Sequence, residues 1–415
     1  MGTVPQPLLG YHGPMLTLDE ARSLLSRTAT PLPARRVALE SAGGLRLAED
    51  VAADLPLPLV DISAMDGYAT RNADVVAGRP LPVAPDVPAG EAPHELAEGQ
   101  TERIFTGGAL PLGADTVIRQ EDAQPAGPGA VRLAPTPLGA NVRRAGEIYA
   151  AGAVLGRWGE RLTPARAALL ASGGASLVAV TPRPRLALLV TGSEVVSVST
   201  TPQPGQIRNT NGPLLAGLAC EAFLEAAAVE RCHDDKETLR GALRRLADGA
   251  DLVVTSGGVS VGDYDFVPRA IEALGGTIVL HGVAMRPGRP VLFARIGGAW
   301  VAGLPGNPLA CLAGWRLLVL PLVEKLAGDG AAFAESPWTA VLGGPARNSS
   351  PHVALRTAML RRDAGALRAD VIPWKGSHDL VAAAAANALV RLEPGVDLEA
   401  GATVSCYPLD WDRNR

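Results

Sequence analysis

Between residues 185 and 327 short apolar runs alternate with amphipathic stretches, and this alternation constrains the fold more than any other feature of the chain. The runs fall at residues 186–190, 226–230, 252–255 and 277–280, and helical stretches at 213–223, 237–246 and 266–274 separate them. Strand alternating with helix implies a mostly parallel, doubly wound sheet with helices on both faces, because parallel neighbours need a crossover connection. Two more strands, at 291–295 and 300–303, precede a long helix from about Pro308 to Leu326.

That segment accounts for about a third of 415 residues, so further domains are expected. Thr17-Leu-Asp-Glu20 reads as a capping box opening an amphipathic helix that runs through Leu25 and stops before Pro31 and Pro33. Residues 51–151 are dense in Pro and Gly with short β-prone runs such as Arg103-Ile-Phe and Thr116-Val-Ile-Arg119, which predicts an irregular β domain. An Ala/Leu-rich helix with Pro164 at its first position follows at 163–172, and it is expected to return beside the first helix. Past residues 328–337, runs such as Ala388-Leu-Val-Arg-Leu392 and Thr403-Val-Ser-Cys-Tyr407 predict a small C-terminal β-barrel or sandwich. The expected division is 1–30 with 147–182, 31–146, 183–327 and 328–415.

Composition excludes several classes of function. With 47% apolar and 19% charged residues and a net charge of −4, the chain has material for sizeable cores and no overall field that favours nucleic acid or an anionic membrane. Cys220, Cys232, Cys311 and Cys406 form no C-x-x-C pair, which argues against a zinc ribbon or a redox dithiol. No basic-then-apolar leader and no run of eighteen apolar residues is present, so a cytoplasmic protein is expected.

Chemistry concentrates in a few loops. Leu252-Val-Val-Thr-Ser-Gly-Gly-Val-Ser-Val-Gly-Asp-Tyr-Asp265 carries a buried strand into a Gly-rich loop and then a helix. Gly257, Gly258 and Gly262 let backbone N–H groups approach a phosphate, Ser256 and Ser260 add hydroxyls, and Asp263 and Asp265 repel that phosphate unless a divalent cation lies between. Read alone, the loop is either a site for phosphate plus Mg²⁺ or a Gly-rich turn with a helix-capping Asp; neither G-x-G-x-x-G nor a Walker A pattern is present. Thr191-Gly-Ser-Glu194 and His233-Asp234-Asp235 lie at two other strand ends, so Glu194, Asp234 and Asp265 are placed to share one crevice of a parallel sheet. Met285-Arg-Pro-Gly-Arg-Pro290 holds two guanidinium groups between prolines, either as an oxyanion fork or as a solubilising turn. Gly303-Leu-Pro-Gly-Asn-Pro-Leu309 opens the long helix with Asn307 at its cap and Pro308 at its start, either an anion site or a capping motif. Around Asp66 and Thr106 the residues read as loops, with Met65 and Tyr68 as packing residues and Asp66-Gly67 as a turn.

Together these segments resemble the molybdopterin molybdenumtransferase family, the MoeA proteins and the related gephyrin E domain. The resemblance rests on Ser63-Ala-Met-Asp-Gly-Tyr68, Thr106-Gly-Gly-Ala-Leu-Pro-Leu-Gly-Ala-Asp115, Asn141-Val-Arg-Arg144 with Gly146-Glu147, Thr191-Gly-Ser-Glu194 and Gly205-Gln-Ile-Arg-Asn-Thr-Asn211. It continues through the Ser256–Asp265 loop, Arg286-Pro-Gly-Arg-Pro290, Gly303-Leu-Pro-Gly-Asn-Pro308 and Gly376-Ser-His378, in family order over nearly the whole chain. It implies an α/β plus β multidomain subunit of a homodimer: a doubly wound MoaB/Mog-like pterin-binding domain, an irregular β domain, a helical segment and a C-terminal β-barrel. The implied reaction takes adenylylated molybdopterin and molybdate, with Mg²⁺, and releases AMP; molybdopterin adenylyltransferase upstream and molybdoenzymes downstream are the implied partners.

Carried over by motif, Gly257, Gly258, Ser260, Gly262, Glu194, Asp234 and Asp265 belong to the nucleotide and metal crevice, with the three carboxylates as metal ligands. Asp66 and Thr106 face that crevice from the partner subunit. Arg286, Arg289, Pro305, Asn307, Pro308 and Ser377 line the region that receives the pterin phosphate and oxyanion, with Arg356, in a loosely matching stretch, beside them. There are three departures from the family pattern: Ile148 stands where an acidic residue is common, Gly282 beside His281 where lysine is frequent, and arginines replace both lysines of Lys-Pro-Gly-Lys-Pro. A non-catalytic scaffold or molybdopterin-binding paralogue, and a molybdopterin adenylyltransferase, are the alternative readings.

Overall fold

Helix α1 (Leu18–Thr28) starts at the expected capping box: the Thr17 hydroxyl accepts from the Glu20 N–H, and the Glu20 carboxylate accepts from the Thr17 N–H at 2.8 Å. The computed structural model describes residues 15–85, 90, 92–222, 224, 226–233, 235–259, 266–334, 336–363 and 365–409. They divide into two units, Arg35–Val180 and the remainder on either side of it.

In the larger unit the expected sheet is present. Its strands are β1 (Leu186–Thr191), β2 (Ala226–Cys232), β3 (Leu252–Ser256), β4 (Thr277–His281), β5 (Leu292–Ile296) and β6 (Ala299–Leu304), in the order β2-β1-β3-β6-β5-β4. The first four run parallel, while β5 is antiparallel to both neighbours because Gly297 and Gly298 turn it directly into β6. Strands β1, β3 and β6 are buried along their whole length, as central strands covered on both faces must be. One face packs against α2 (Asn211–Glu221) and the helix starting at Pro308, around Leu188, Leu215 and Trp300; the other packs against α3 (Lys236–Gly249) and α4 (Phe266–Ala273), around Leu243, Val253 and Ile271.

The long helix begins at Pro308, but it is not α-helical throughout. Between α5 (Pro308–Gly314) and the turns at Leu320–Leu326 lies a π segment, Trp315–Val319. Pro321 has no N–H to give Leu317, four residues back, and the buried Arg22 of α1 supplies a donor to that carbonyl at 2.7 Å instead. Leu18, Ala21 and Leu25 bury the rest of α1's inner face in the same core.

The C-terminal residues close into a five-stranded barrel of β7 (Trp338–Leu342), β8 (Val353–Asp363), β9 (Ala366–Val371), β10 (Ala388–Leu392) and β11 (Thr403–Pro408). Closure depends on the length of β8, whose first half pairs with β10 and second half with β9. Met285–Arg286 adds a parallel pair to β8 at Val353 and Ala354.

The smaller unit contains a six-stranded sheet in which Gly67–Thr70 lies between Thr101–Ile104 and Thr116–Arg119. The helix Pro164–Ser172 buries Leu170 with Leu47, Leu155 and Val178. Tyr68 is partly buried as expected, whereas Met65 is 40% exposed and is not a packing residue. Gly67 begins the strand instead of completing a turn, because a Cβ there would strike the Ile118 carbonyl of the neighbouring strand.

Candidate functional site

A cavity of about 300 Å³ opens over the carboxyl ends of β1, β3 and β6, which are adjacent in the sheet. Thr191, Gly192 and Glu194 line it from β1, Ser256, Gly257 and Gly258 from β3, and Gly306 and Asn307 from β6. The start of α2 forms the remaining wall, held by a short parallel pairing of Val195–Val196 with Ile207–Arg208. Ligands of open parallel sheets bind at this edge.

Sequence and conformation agree most tightly at Gly257. Its φ is +97°, and an added Cβ would sit 2.7 Å from the Thr191 carbonyl oxygen, so only glycine lets the loop lie on the end of β1. Gly258 also has positive φ and packs over the Thr191 hydroxyl and Val267.

Asn211, the last residue of the Gly205–Asn211 motif, received no role from the sequence. It is 5% exposed, and its Nδ2 donates to Ser256 Oγ and to the Gly306 carbonyl, both at 2.7 Å. One amide thus joins the start of α2 to the loops after β3 and β6, while its Oδ1 is buried without a partner. Ser256 in turn donates to Cys311, whose thiol burial pushes up to about 12 despite that hydrogen bond. Cys311 is therefore a packing residue, Cys220 is exposed, and none of the four cysteines is in a disulfide.

Of the three carboxylates expected in the crevice, the structure describes Glu194, which is exposed on the cavity wall beside Gly192. Asp234 and Asp265 lie outside the described residues, as do Ser260 and Gly262. Among the described residues no group of three or more His, Cys, Asp or Glu is placed to hold a metal ion. The Glu194 carbonyl accepts from the Ile207 N–H at 3.0 Å, and its carboxylate, on the cavity wall, is a hard oxygen donor of the kind a divalent cation takes.

The arginine region lies where Met285–Arg286 joins β8. Arg286 pairs in register with Ala354, two residues from Arg356, so Ala354 and Arg356 share a face of the strand. Arg286 and Arg289 are exposed and Arg356 is half-buried; none of the three forms an ion pair among the described residues. Burial, and secondarily the charge of Arg286, push the Arg356 guanidinium below its ordinary pKa. Pro305 and Pro308 are buried, and the Leu309 N–H donates to the Ser377 carbonyl at 3.0 Å, which fixes the Gly376–His378 turn beside the start of α5. Asn307 occupies the cap position of α5, but its side chain makes no capping bond. The pyrrolidine at Pro308 removes one N–H that a cap would otherwise satisfy. At the departure site, His281 Nε2 is 2.8 Å from the Val259 carbonyl, and Gly282 takes φ +90°.

In the smaller unit Asp66 and Thr106 form one constellation. Asp66 Oδ1 accepts from the Thr106 N–H at 2.7 Å and from its hydroxyl at 2.8 Å, which holds the Asp66 carboxyl below the usual carboxylate range. Asp61 accepts from the Ala145 N–H and pairs with Arg144, ordering the Asn141–Glu147 segment, and Ile148 beyond it is 59% exposed.

These features define a doubly wound α/β domain with a strand-end crevice, attached to a five-stranded barrel. Three families match in chain order: "MoeA N-terminal region (domain I and II)" over residues 16–174, "Probable molybdopterin binding domain" over 187–325, and "MoeA C-terminal region (domain IV)" over 339–409. The chain is 32% identical over 401 residues to the molybdopterin molybdenumtransferase of Haemophilus influenzae, covering 95% of this chain and 99% of that one. It is 36% identical over 386 residues to molybdopterin molybdenumtransferase 2 of Mycobacterium tuberculosis, covering 90% and 94%. The crystal structure of the molybdopterin biosynthesis MoeA protein from Pyrococcus horikoshii superposes with a TM-score of 0.81 at 30% identity, covering 95% and 99%. The chain belongs to the MoeA family. No helix among the described residues is long and apolar enough to cross a membrane.

Proposed function

We propose that this protein is a molybdopterin molybdenumtransferase that takes adenylylated molybdopterin and molybdate, inserts molybdenum into the pterin dithiolene and releases AMP. The observation that carries the reading is the glycine-built cavity at three adjacent strand ends, in one unit with arginines at 286, 289 and 356 that form no ion pair among the described residues. The names of relatives aligned over most of the chain support it.

In this reading the Gly257–Gly258 backbone and the start of α2 receive the nucleotide phosphates, and Arg286, Arg289 and Arg356 receive molybdate. Glu194, with Asp234 and Asp265, would hold Mg²⁺, which when bound offsets phosphate charge. The chain's own contribution is binding and alignment: arginine donors fix the oxyanion beside the thiolates, and the glycine loop fixes the phosphoanhydride. Water attacks that anhydride, releasing AMP and leaving the pterin phosphate; the two dithiolene sulfurs bond molybdenum as one molybdate oxygen leaves as water with the two thiol protons, and no protein nucleophile is required. The arginines at 286 and 289 keep the charge of the family's lysines and add bidentate geometry.

The protein acts in this reading as a cytoplasmic homodimer, with Asp66 and Thr106 completing the partner's crevice, between a molybdopterin adenylyltransferase and the molybdoenzymes that receive the cofactor. Ile148, exposed where family members often carry an acid, favours a second reading as a non-catalytic paralogue. Purified protein supplied with adenylylated molybdopterin, Mg²⁺ and molybdate separates the two. Molybdate-dependent AMP release establishes the transferase, and pterin binding without AMP release establishes the paralogue.

A further inference from the structure

Several arginines of this unit face a carboxylate: Arg185 pairs with Asp251, Arg245 with Glu230, and Arg391 with both Asp19 and Glu393. Arg295 stacks on the Trp300 ring instead, and Arg356 is held in the same manner. Its guanidinium carbon stands 5.1 Å from the centre of the Trp374 ring, its Nε is buried with no hydrogen-bond partner, and it lies within the electrostatic reach of a second cation, Arg286. A cation held by a ring face keeps its in-plane N–H donors unspent, whereas one held by a carboxylate donates them in a fork.

We propose that Trp374 is a positioning residue for oxyanion capture: its ring takes the place of a carboxylate counter-ion behind Arg356, so that the guanidinium is held in place with its donors free for molybdate. An acidic residue in the same place would fix Arg356 equally well but would neutralise it and compete for the same donors. The half-buried Trp374 also packs against the core formed by α1, α5 and the sheet, which makes its ring a rigid platform. The neighbouring Arg286 raises the free energy of the empty site by like-charge repulsion, and an arriving dianion relieves it. This inference rests on the reading of the arginine region as the molybdate site.

The test is a titration of the full chain with sodium molybdate alone, for wild type, Trp374→Leu, Trp374→Met, Trp374→Phe, Arg356→Ala and the double variant Trp374→Leu/Arg356→Ala. Steady-state measurement of KM for molybdate and for adenylylated molybdopterin accompanies it. A cation–π contact of about 1–2 kcal/mol corresponds to roughly five- to thirtyfold in affinity, the loss expected for Trp374→Leu and Trp374→Met. Trp374→Phe, which keeps a π face, should recover most of the affinity, and KM for molybdate should rise while KM for the pterin stays unchanged. In the Arg356→Ala background, Trp374→Leu should add almost nothing. The Met variant, unbranched and flexible, carries the test if the Leu variant does not fold. Wild-type molybdate affinity in both aliphatic variants, with Arg356→Ala impaired, overturns the role of Trp374 and leaves the arginine site standing. A Trp374→Leu loss that persists in full without Arg356, or that Trp374→Phe shares in full, also overturns it, since the ring then acts through packing. If neither Arg356→Ala nor the Trp374 variants alter molybdate binding, the assignment of the oxyanion site and this inference both fall.

Discussion

The strand-end crevice is shaped by the glycine loops at Gly257, Gly258 and Gly306, is braced by the Asn211 amide and carries polar side chains such as Glu194, Arg208 and Ser256 on its wall. In the arginine region beside the barrel the facing groups are long side chains, Arg286, Arg289 and Arg356, with an aromatic ring behind the last. The first is fixed by loop geometry, so its tolerance to substitution is decided by sterics. The second is fixed by charge and stacking, so it can be altered by degrees and is sensitive to salt.

The largest expected effect is on the backbone-built side. Gly257→Ala forces a Cβ into the Thr191 carbonyl at a residue with φ +97°, and the loop must move. Stability should fall by ~2 kcal/mol or more, and misplacement of the phosphate site should lower kcat/KM by roughly a hundredfold. Thermal unfolding and AMP-release kinetics measure the two, and an unaffected Gly257→Ala enzyme would show that the crevice is not set by loop sterics.

On the side-chain-built side, Arg286→Ala removes a charge-assisted contact worth about 1.5–3 kcal/mol, a loss of roughly ten- to a hundredfold in molybdate affinity. Arg286→Lys should lose less, because the charge survives although the fork does not. Added salt should weaken molybdate binding to wild type more than to Arg286→Ala; equal slopes would place the oxyanion elsewhere.

Asn211→Ala tests whether the crevice depends on one amide as well as on glycines. It removes two 2.7 Å hydrogen bonds across three loops and should cost about 1–3 kcal/mol, read as a raised KM for the pterin substrate with an unchanged molybdate titration. Asn211→Asp should be worse, since it turns a carboxylate oxygen toward the Gly306 carbonyl. A change in molybdate binding equal to that in pterin KM would dissolve the distinction between the two regions.

The smallest effect concerns the brace behind the arginine region. Asp19 of α1 accepts two hydrogen bonds from Arg391 of β10, at 2.9 and 2.8 Å, and those bonds hold the Asp19 carboxyl below its ordinary range. A depressed carboxyl contributes stability that is present above its unfolded pKa and is lost as pH falls through the folded value. Asp19→Asn should therefore cost about 1 kcal/mol or less at pH 7, because Asp19 itself is largely exposed, and the difference from wild type should shrink as pH falls below about 3.9 and vanish only below the depressed folded value. Unfolding at pH 7 and at pH 3 gives the comparison: the difference should be smaller at pH 3, and one that does not shrink would assign the effect to packing.

The candidate site was half legible in the sequence. The glycine loop, Glu194 and the arginine motif stand out because each is a local exception: positive-φ residues after an apolar run, an acid at a strand end, two cations between prolines. Asn211 and Trp374 do not stand out, since an Asn near a helix start and a Trp among apolar residues are ordinary in a sequence. Their roles arise from partners 45 and 95 residues away for Asn211 and from the stacking of Arg356 for Trp374. Asp66 and Thr106 were each singled out, and the structure adds that the one accepts two hydrogen bonds from the other.

Local patterning by itself determined the capping box of α1, the strands and helices of the doubly wound domain and the β character of the C-terminal residues, because hydrophobic period, caps and turn residues act within a few positions. Tertiary structure alone decided which core each helix joins, the π segment opposite Arg22, the closure of the barrel through the two halves of β8, and the exposure of Met65. Each of these depends on a register or a hydrogen-bond partner supplied by a distant segment, and a short-range pattern does not specify which distant segment that is.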